Sequence, residues 1–475
     1  VGVERGPAPQ GPETIGAGLG GGRALRIHLV GIAGAGMSAL ATVLAEMGHR
    51  VSGSDVREHP RFDRLRLLGV TCAAPQDPAH VPGDADAVIP SSAVPDDNPE
   101  LQRARELGLR VLSRAEALAG VVAMRRGIGV AGTHGKTTTS SMLTACLRAA
   151  GWRPGFVIGS ELNEVGTNAA WGEGDWLVVE ADESDGTFLR LPLRAGLVTN
   201  VGTDHLWSWG SAQALRDAFA EFVTGIDGPV VCCLDDPGAA ALRAHRADAH
   251  TYGWDPAAEV SGRDYRPEAA GSSFELVCDG RPAGRVCLAV RGAHHAQNAL
   301  GAIAAARILG VDLEIARRAL AGFGGVARRF QHKGTRAGVA YVDDYALLPP
   351  EVAATIRAAR EGPWRRVVAV FQPFRYARTA VMWEEFADAF CEADHVVLTD
   401  VCGFHERPIP GVTGRLILRA VLDAHPRLDV TYVPHRGDLA RIVARLARPG
   451  DVVLTLGGGD ITFLADEILT AEAPA

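Results

Sequence analysis

No stretch of apolar residues in this sequence is long enough to cross a bilayer as a helix, which takes about 20 in a row. Nor is there a basic surplus. The 48 lysines and arginines are outnumbered by 56 aspartates and glutamates, for a formal net charge of -8. Nucleic-acid binders are usually basic, so partnership with nucleic acid or membrane is not expected. A local loop can still hold a phosphate whatever the global charge. The cysteines are Cys72, Cys146, Cys232, Cys233, Cys278, Cys287, Cys391 and Cys402, and no two form a C-x-x-C pair. Such scatter fits reduced, cytoplasmic thiols used as small apolar residues, not a disulfide framework or a zinc cage. Residues 1–22 are rich in Gly and Pro and lack the basic start and apolar stretch of a signal peptide. They read as a disordered tail.

What is present is ordinary globular material: 47% hydrophobic and 22% charged residues. At roughly 100–200 residues per domain, 475 residues suggest about three domains. Short apolar runs alternate with amphipathic stretches, the pattern of parallel α/β architecture. Three blocks are expected: 23–123, 124–330 and 331–475. The first has strands at Arg26–Val30, near Val51 and at Ala87–Pro90, with a helix from about Gly36. The second has strands at Gly127–Ala131, Trp176–Glu180 and Gly196–Thr199. It also has a hairpin of Phe274–Cys278 with Arg285–Val290, then a helix from about His294. The third has strands near Val339–Asp343, Arg366–Phe371, His395–Thr399 and Val452–Leu456.

Two glycine-rich turns follow strands. The first runs through Gly31, Gly34, Gly36, Met37 and Ser38. Glycines let a backbone approach a pyrophosphate at the positive end of the next helix. Asp55, after Ser54 at the end of the next strand, stands where an acid can bind a ribose hydroxyl. Ala33 replaces the middle glycine of G-x-G-x-x-G, so the turn also fits a plain tight connection. The second turn is Gly132-Thr133-His134-Gly135-Lys136-Thr137-Thr138-Thr139, between a strand and a helix. Its N–H groups can cradle phosphates, Lys136 can neutralise β and γ oxygens, and the Thr137 hydroxyl can hold Mg²⁺. Its first glycine comes two residues later than in G-x-x-x-x-G-K-[ST], and a chance Gly-Lys-Thr at a helix start is the bland alternative.

Glu180-Ala181-Asp182-Glu183-Ser184-Asp185 follows the apolar run Trp176–Val179. Acids at a strand's carboxyl end beside a phosphate loop suit Mg²⁺; an acidic surface loop is the other reading. Asn200 and Asp204-His205 follow a further buried strand. A dehydrogenase or a simple kinase needs one nucleotide turn. An enzyme that uses ATP to activate a substrate itself carrying a nucleotide diphosphate needs two.

With these residues in place, the chain after Arg26 resembles the Mur ligase family. The resemblance rests on Gly132–Thr139, Gly31–Ser38, Ser91-Ser92-Ala93, Gly166–Ala169, Glu180–Asp185, Asp204-His205, His294 with Asn298, Arg328-Arg329-Phe330, Asp343-Asp344-Tyr345, Phe371-Gln372-Pro373 with Arg375, and Gly457–Asp460. It implies three α/β domains: a Rossmann-like domain for a UDP-sugar, a P-loop-type central domain for ATP, and a Rossmann-like C-terminal domain for an amino acid. It also implies cytoplasmic amide formation through an acyl phosphate in peptidoglycan precursor synthesis, by a monomer or homodimer. ATP and Mg²⁺ would be cofactors. UDP-N-acetylmuramate, or a similar UDP-sugar acid, and an amino acid would be substrates, with L-alanine the acceptor in the branch whose loop carries His134.

By the same resemblance, Lys136 would hold the γ-phosphate, and Thr137, Glu180 and His205 would serve the metal ions. His294 and Asn298 would meet the adenosine, and Arg329 and Asp343 would contact the nucleotide. Arg375 and Arg378 would hold the amino-acid carboxylate. Lys136, Glu180, His205 and Arg329 would be the catalytic set. Ser54, Asp55, Ser91 and Ser92 would join the first turn around the UDP-sugar. Three positions depart from the family's pattern by replacing polar groups with apolar ones: Leu347-Leu348 before Pro349, Phe374 after Pro373, and Trp207 after His205. A diverged ligase with another acceptor, and a catalytically silent nucleotide-binding protein, therefore stand beside the main reading.

Overall fold

The computed structural model describes residues 23–202, 206–404 and 406–471. By compactness these fall into two units. One comprises residues up to 264, 275–286 and 297–323; the other comprises 265–274, 287–296 and 324 onward.

The first unit opens with a four-stranded parallel sheet. Its strands are β1 (Arg26–Val30), β2 (Arg50–Ser54), β3 (Thr71–Ala73) and β4 (Ala87–Pro90), in the order β3-β2-β1-β4. β1 is covered on both faces, which is why it reads as a nearly continuous apolar run. Its one polar interior residue, His28, is buried and paired with buried Glu100 at 3.2 Å. Glu100 also accepts from the Ser54 hydroxyl at 2.5 Å and from the Asp77 N–H at 3.0 Å. Burial pushes the Glu100 carboxyl up, but the bonds from His28 and Ser54 outweigh it and hold its pKa below the ordinary value.

A second sheet follows with β5 (Arg126–Ala131), β6 (Gly155–Leu162), β7 (Thr167–Ala170), β8 (Trp176–Glu180), β9 (Leu193–Val198), β10 (Val230–Cys233) and β11 (His250–Gly253). They lie in the order β11-β10-β9-β5-β8-β6-β7, with β12 (Val260–Glu268) beginning beside β11. The sequence placed β9 at Gly196–Thr199, but it begins three residues earlier. The hairpin is β13 (Gly271–Cys278) and β14 (Arg281–Leu288), joined by Asp279 and Gly280, both at positive φ. That Asp-Gly turn is the type whose twist suits a two-residue hairpin. The second arm was expected at 285–290. It starts at Arg281, straight after the turn, and its first half is exposed and carries no apolar alternation to mark it.

The second unit is built on β15 (Gln331–Arg336), β16 (Val339–Asp344), β17 (Arg366–Gln372), β18 (His395–Thr399), β19 (Val430–Val433) and β20 (Asp451–Gly457), in the order β15-β16-β20-β17-β18-β19. All neighbours are parallel except β15. Alternate side chains feed two cores. Val342, Ala369, Phe371 and Leu454 go to one face, and Tyr341, Val368, Val370 and Val453 go to the other. The three sheets thus carry the expected three-part α/β architecture. No helix among the described residues is long and apolar enough to cross a membrane.

Candidate functional site

Register makes the first half of the site. β5 lies between β8 and β9, with Val130 opposite Glu180 and Ala131 opposite Val198. The carboxyl ends of three parallel strands therefore deliver the 132–135 loop, the acid Glu180 and Thr199-Asn200 to one edge, where ligands collect in open α/β sheets. Side chains then fix the loop. The His134 N–H donates to Asn200 Oδ1 at 2.8 Å, Asn200 Nδ2 donates back to the His134 carbonyl at 3.0 Å, and the Thr199 hydroxyl donates to that carbonyl at 2.6 Å. The Gly202 N–H donates to Thr133 Oγ1 at 2.7 Å. Gly132 has φ +132, and a Cβ there would stand 2.0 Å from Thr199 Oγ1. Gly135, at φ +80, opens the helix Lys136–Ala149 and lies so close to Asn298 that a Cβ would stand 2.5 Å from its Oδ1.

From this frame Lys136 folds back. Its Nζ donates to the Gly132 carbonyl at 2.6 Å and to Glu183 Oε2 at 2.8 Å. Burial works against the ammonium, but Glu183, Asp182 and Glu180 outweigh it and raise the Lys136 pKa. Glu183 has no exposed side-chain surface. Burial lifts its carboxyl to about 7 against the pull of Lys136. The 2.8 Å contact makes the two an ion pair whose lysine is charged. The loop that carries Glu183 is anchored from behind. Trp209 Nε1 donates to the Glu183 carbonyl at 3.0 Å. Phe188 stacks on Phe222 and meets Phe219 edge-on, both at 5.2 Å between ring centroids.

The Thr137 hydroxyl lies 3.1 and 3.0 Å from the two oxygens of Glu180, and the Gly159 N–H donates to Glu180 Oε2 at 2.7 Å. Thr138 is buried in the same first turn. A hydroxyl and a carboxylate converging at a helix start form a hard oxygen set of the kind Mg²⁺ prefers. His205 lies outside the described residues.

The first glycine turn is in the same unit. Gly31 has φ +80, with a Cβ position 3.0 Å from the Ser91 Cβ. Gly34 precedes the helix Ala35–Glu46, which has no side-chain cap and no acid in its first turn. Asp55 Oδ2 accepts the Ala33 N–H at 2.9 Å and so shapes the turn itself. Met37 and Ser38 are buried, and Ser38 Oγ donates to the Ala35 carbonyl at 3.1 Å. Ser91 is half-buried and Ser92 exposed at the end of β4. Ser54 is fully buried, and its hydroxyl is spent on Glu100, so the structure gives it a place in the core rather than on the surface of the turn. Arg114, which the sequence reading did not single out, lies against Gly36 of this turn, and its Nη2 donates to Asp185 Oδ2 at 2.7 Å.

In the second unit, Asp343 is fully buried. It accepts from Arg328 Nε at 3.2 Å and from the hydroxyls of Thr455 and Thr462 at 2.7 Å each. Its ion-pair partner is thus Arg328, the neighbour of Arg329. Arg329 lies over Tyr345, with 5.5 Å to the ring centroid. His294 and His295 pack at 4.1 Å. Burial, helped by Arg357 and Arg329, takes His294 down to about 4, so it is neutral. Arg375 is exposed with φ +70 before the helix Tyr376–Met382, its guanidinium 5.9 Å from the Phe374 ring centroid. Arg378 lies half-buried one turn on. Two of the apolar departures meet here: Leu347 and Phe374 both close on Gly458, 2.9 and 3.0 Å from its Cβ position. Phe374 also packs against Phe404 at 5.7 Å. Leu348 instead turns inward and is buried. The Trp207 side chain lies outside the described residues.

The chain is similar to known proteins along most of its length. Residues 26–126 match the model of the Mur ligase family catalytic domain, 130–306 that of the Mur ligase middle domain, and 328–459 that of the Mur ligase glutamate ligase domain. A curated relative, the UDP-N-acetylmuramate–L-alanine ligase of Rubrobacter xylanophilus, is 44% identical over 94% of this chain and 99% of its own. The crystal structure of the UDP-N-acetylmuramate–alanine ligase of Thermotoga maritima is 29% identical with a TM-score of 0.82, covering 94% of this chain and 98% of its own. That of a murein peptide ligase from Psychrobacter arcticus is 25% identical with a TM-score of 0.70, over 94% and 98%. With a lysine-bearing glycine loop, an acid beside its threonine, and all three domain models matched in order, the chain belongs to the Mur ligase family.

Proposed function

We propose that the chain is an ATP-dependent ligase that joins the carboxylate of UDP-N-acetylmuramate to L-alanine through an acyl phosphate, in cytoplasmic peptidoglycan precursor synthesis. The division 23–123, 124–330 and 331–475 gives the sugar nucleotide, ATP and the amino acid a domain each. One observation carries the reading: Lys136 and the Thr137–Glu180 pair share one helix start, beside a loop held open by glycines that admit no side chain. The names of the relatives supply the substrates.

A carboxylate is a poor acyl donor. Its oxygen attacks the γ-phosphorus of ATP, ADP leaves, and the acyl phosphate gains a good leaving group. The amine then attacks the acyl carbon, loses a proton, and phosphate departs. In such transfers a protein mainly positions reactants and neutralises charge. Lys136 would meet the γ-phosphate oxygens by exchanging Glu183 and the Gly132 carbonyl for them. Thr137 and Glu180, with His205 by the sequence reading, would hold Mg²⁺, which when bound neutralises phosphate charge. Gly34, Gly36 and the uncapped helix start would take the diphosphate, His294 and Asn298 the adenosine, and Arg375 and Arg378 the acceptor carboxylate, a geometry arginine suits.

The test is phosphate release by the purified chain with ATP, Mg²⁺, UDP-N-acetylmuramate and each amino acid in turn. Release should require all four components and be greatest with L-alanine; release independent of the sugar nucleotide would overturn the reading. The convergence of Leu347, Phe374 and Phe404 favours a second reading, a diverged ligase whose acceptor has a larger apolar side chain. The same screen separates the two.

A further inference from the structure

The strand β6 (Gly155–Leu162) leaves the regular ladder part-way along. Its parallel pairing with β8 ends with Val157 opposite Val179, one residue short of Glu180. Its antiparallel pairing with β7 reaches Val157 opposite Ala169 and resumes only at Leu162 opposite Thr167. The peptide joining Ile158 to Gly159 therefore lies beyond the regular pairing on both sides, and side chains grip it. On the β8 side the Gly159 N–H donates to Glu180 Oε2 at 2.7 Å. On the β7 side the Ile158 carbonyl accepts from Asn168 Nδ2 at 3.3 Å. That nitrogen has two hydrogens, and it also donates to the Ala35 carbonyl at 3.1 Å. Asparagine is a poor strand residue, yet Asn168 stands half-buried inside β7.

Asn168 and Glu180 thus hold the two poles of one peptide group. A donor on the carbonyl draws charge through the planar amide and strengthens its N–H as a donor, as in other hydrogen-bond chains. It also fixes the peptide plane, and with it the direction from which the N–H meets the carboxylate. Gly159 leaves little slack in that contact. Its φ is not positive, yet a Cβ there would stand 2.8 Å from Glu180 Oε2 and 3.2 Å from Thr137 Oγ1. The bare backbone lets strand, carboxylate and hydroxyl meet. The N–H claims Oε2, while Oε1 lies 3.1 Å from the Thr137 hydroxyl. An outer partner that orients a carboxylate ligand in this way governs metal affinity.

We propose that Asn168 is a positioning residue for the pair Thr137–Glu180, acting through the Ile158–Gly159 peptide to aim the Glu180 carboxylate at the cation. This rests on the Mg²⁺ reading of that pair above. Loss of the amide leaves Thr137 and Glu180 in the chain and loosens the carboxylate.

Two measurements on the full chain test this. Labelling with carbonyl-¹³C isoleucine and ¹⁵N glycine singles out Ile15-Gly16, Ile128-Gly129 and Ile158-Gly159, where the two residue types adjoin. In Asn168→Ala the Ile158 carbonyl carbon and the Gly159 nitrogen should move upfield, as in a peptide whose carbonyl loses a donor. Mn²⁺ is the metal probe, since it takes the same oxygen ligands, and its free concentration is read by paramagnetic resonance in the presence of ADP. Asn168→Ala should weaken Mn²⁺ by about 3–10-fold, below the roughly 10–100-fold of a partner bonded directly to the ligand. The Mg²⁺ concentration for half-maximal phosphate release should rise by the same factor, with kcat at saturating Mg²⁺ nearly kept. Asn168→Leu has the same forked shape and no donor, and it should repeat both effects if the alanine variant folds poorly. Asn168→Gln keeps a donor and should recover part of the affinity. A moved Ile158 carbonyl with Mn²⁺ affinity within twofold of the wild type would overturn the proposal and leave Asn168 a structural tie. So would an unmoved Ile158 carbonyl. Equal Mn²⁺ affinity in the wild type and Thr137→Val would instead overturn the metal reading itself, and this inference with it.

Discussion

The Thr137 hydroxyl sits 3.0 Å from Glu180 Oε2, and the same oxygen accepts the Gly159 N–H at 2.7 Å. Glu180 is therefore held by two donors from two elements, one of which a metal ion would displace. Thr137→Val keeps the shape and removes the oxygen. It should lower phosphate release by on the order of 10²-fold, comparable to removing one preorganised polar contact to transferring charge. The Gly159 bond remains, so the melting temperature should hardly move. Activity within a factor of two of the wild type at saturating Mg²⁺ would remove Thr137 from the metal site.

Lys136 and Glu183 make a second such pair, and their separation decides between an enzyme and a silent binder. Lys136→Ala should abolish turnover while the protein remains folded by circular dichroism. A variant that still releases phosphate at the wild-type rate would show that the loop binds no reacting phosphate. Because Glu183 has no exposed surface, removal of its cation leaves a buried acid, and the variant should lose stability as well.

Much of this was legible beforehand. The strands Arg26–Val30, Ala87–Pro90, Trp176–Glu180 and His395–Thr399 fall where apolar runs between turn residues put them, because strands covered on both faces carry a continuous signal. The loop 132–135 was legible because its glycines and the lysine and threonine that follow are adjacent in sequence. Pairings across long separations were not. Nothing local marks Glu100 as the partner of His28 and Ser54, Arg328 as the partner of Asp343, or Arg114 as the partner of Asp185. Those contacts depend on strand order and on which way a backbone turns. Arg328 illustrates the second, at φ +62. The nearest available clue to Arg114 was a basic residue opening a helix, against the usual preference for acids there.

Asp344 gives a pH prediction. It is buried, and burial lifts its carboxyl from 3.8 to about 6, against the opposing pull of Arg329 and the Phe330 N–H that donates to it at 2.6 Å. The folded state therefore binds the proton more tightly than the unfolded chain does. Its contribution to stability is complete below pH about 4 and is lost as pH rises through about 6. The gap is worth ~3 kcal/mol at most. Asp344→Asn can still accept the Phe330 N–H and carries no charge. Relative to wild type it should gain stability between pH 5 and 8 in thermal melts. A difference between the two proteins that does not change over that range would show that Asp344 ionises as freely folded as unfolded.

The buried Glu100 works in the opposite direction and is testable by deletion. It accepts from His28, Ser54 and the Asp77 N–H, so it joins β1, β2 and the segment before residue 80 through one carboxylate. Glu100→Ala strands three donors at once and should cost about 3–5 kcal/mol. Urea unfolding should show it as an early shift of the first transition. Glu100→Gln keeps two acceptor positions at most and should fall between. A loss below 1 kcal/mol for the alanine variant would mean that water replaces the carboxylate, and that the network does not hold the first sheet together.

The last prediction concerns the acceptor. Leu347 and Phe374 close on Gly458, with Phe404 against Phe374 and the Arg375 guanidinium 5.9 Å from the Phe374 ring centroid. A cation beside an apolar wall suits an amino acid: the carboxylate goes to arginine and the side chain to the wall. Each methylene contacting such a wall changes discrimination by roughly 10–200-fold. If the acceptor's side chain lies there, Phe374→Ala should change the ratio of kcat/KM for L-leucine to that for L-alanine by at least tenfold, with KM for ATP unmoved. Leu347→Ala should move the ratio the same way. The sign is informative. A fall in the ratio means the wall binds large side chains and the chain is a diverged ligase. A rise means Phe374 acts as a stop that keeps the pocket to alanine. A ratio unchanged in both variants would place the acceptor's side chain elsewhere and leave the apolar cluster a purely structural cover over Gly458.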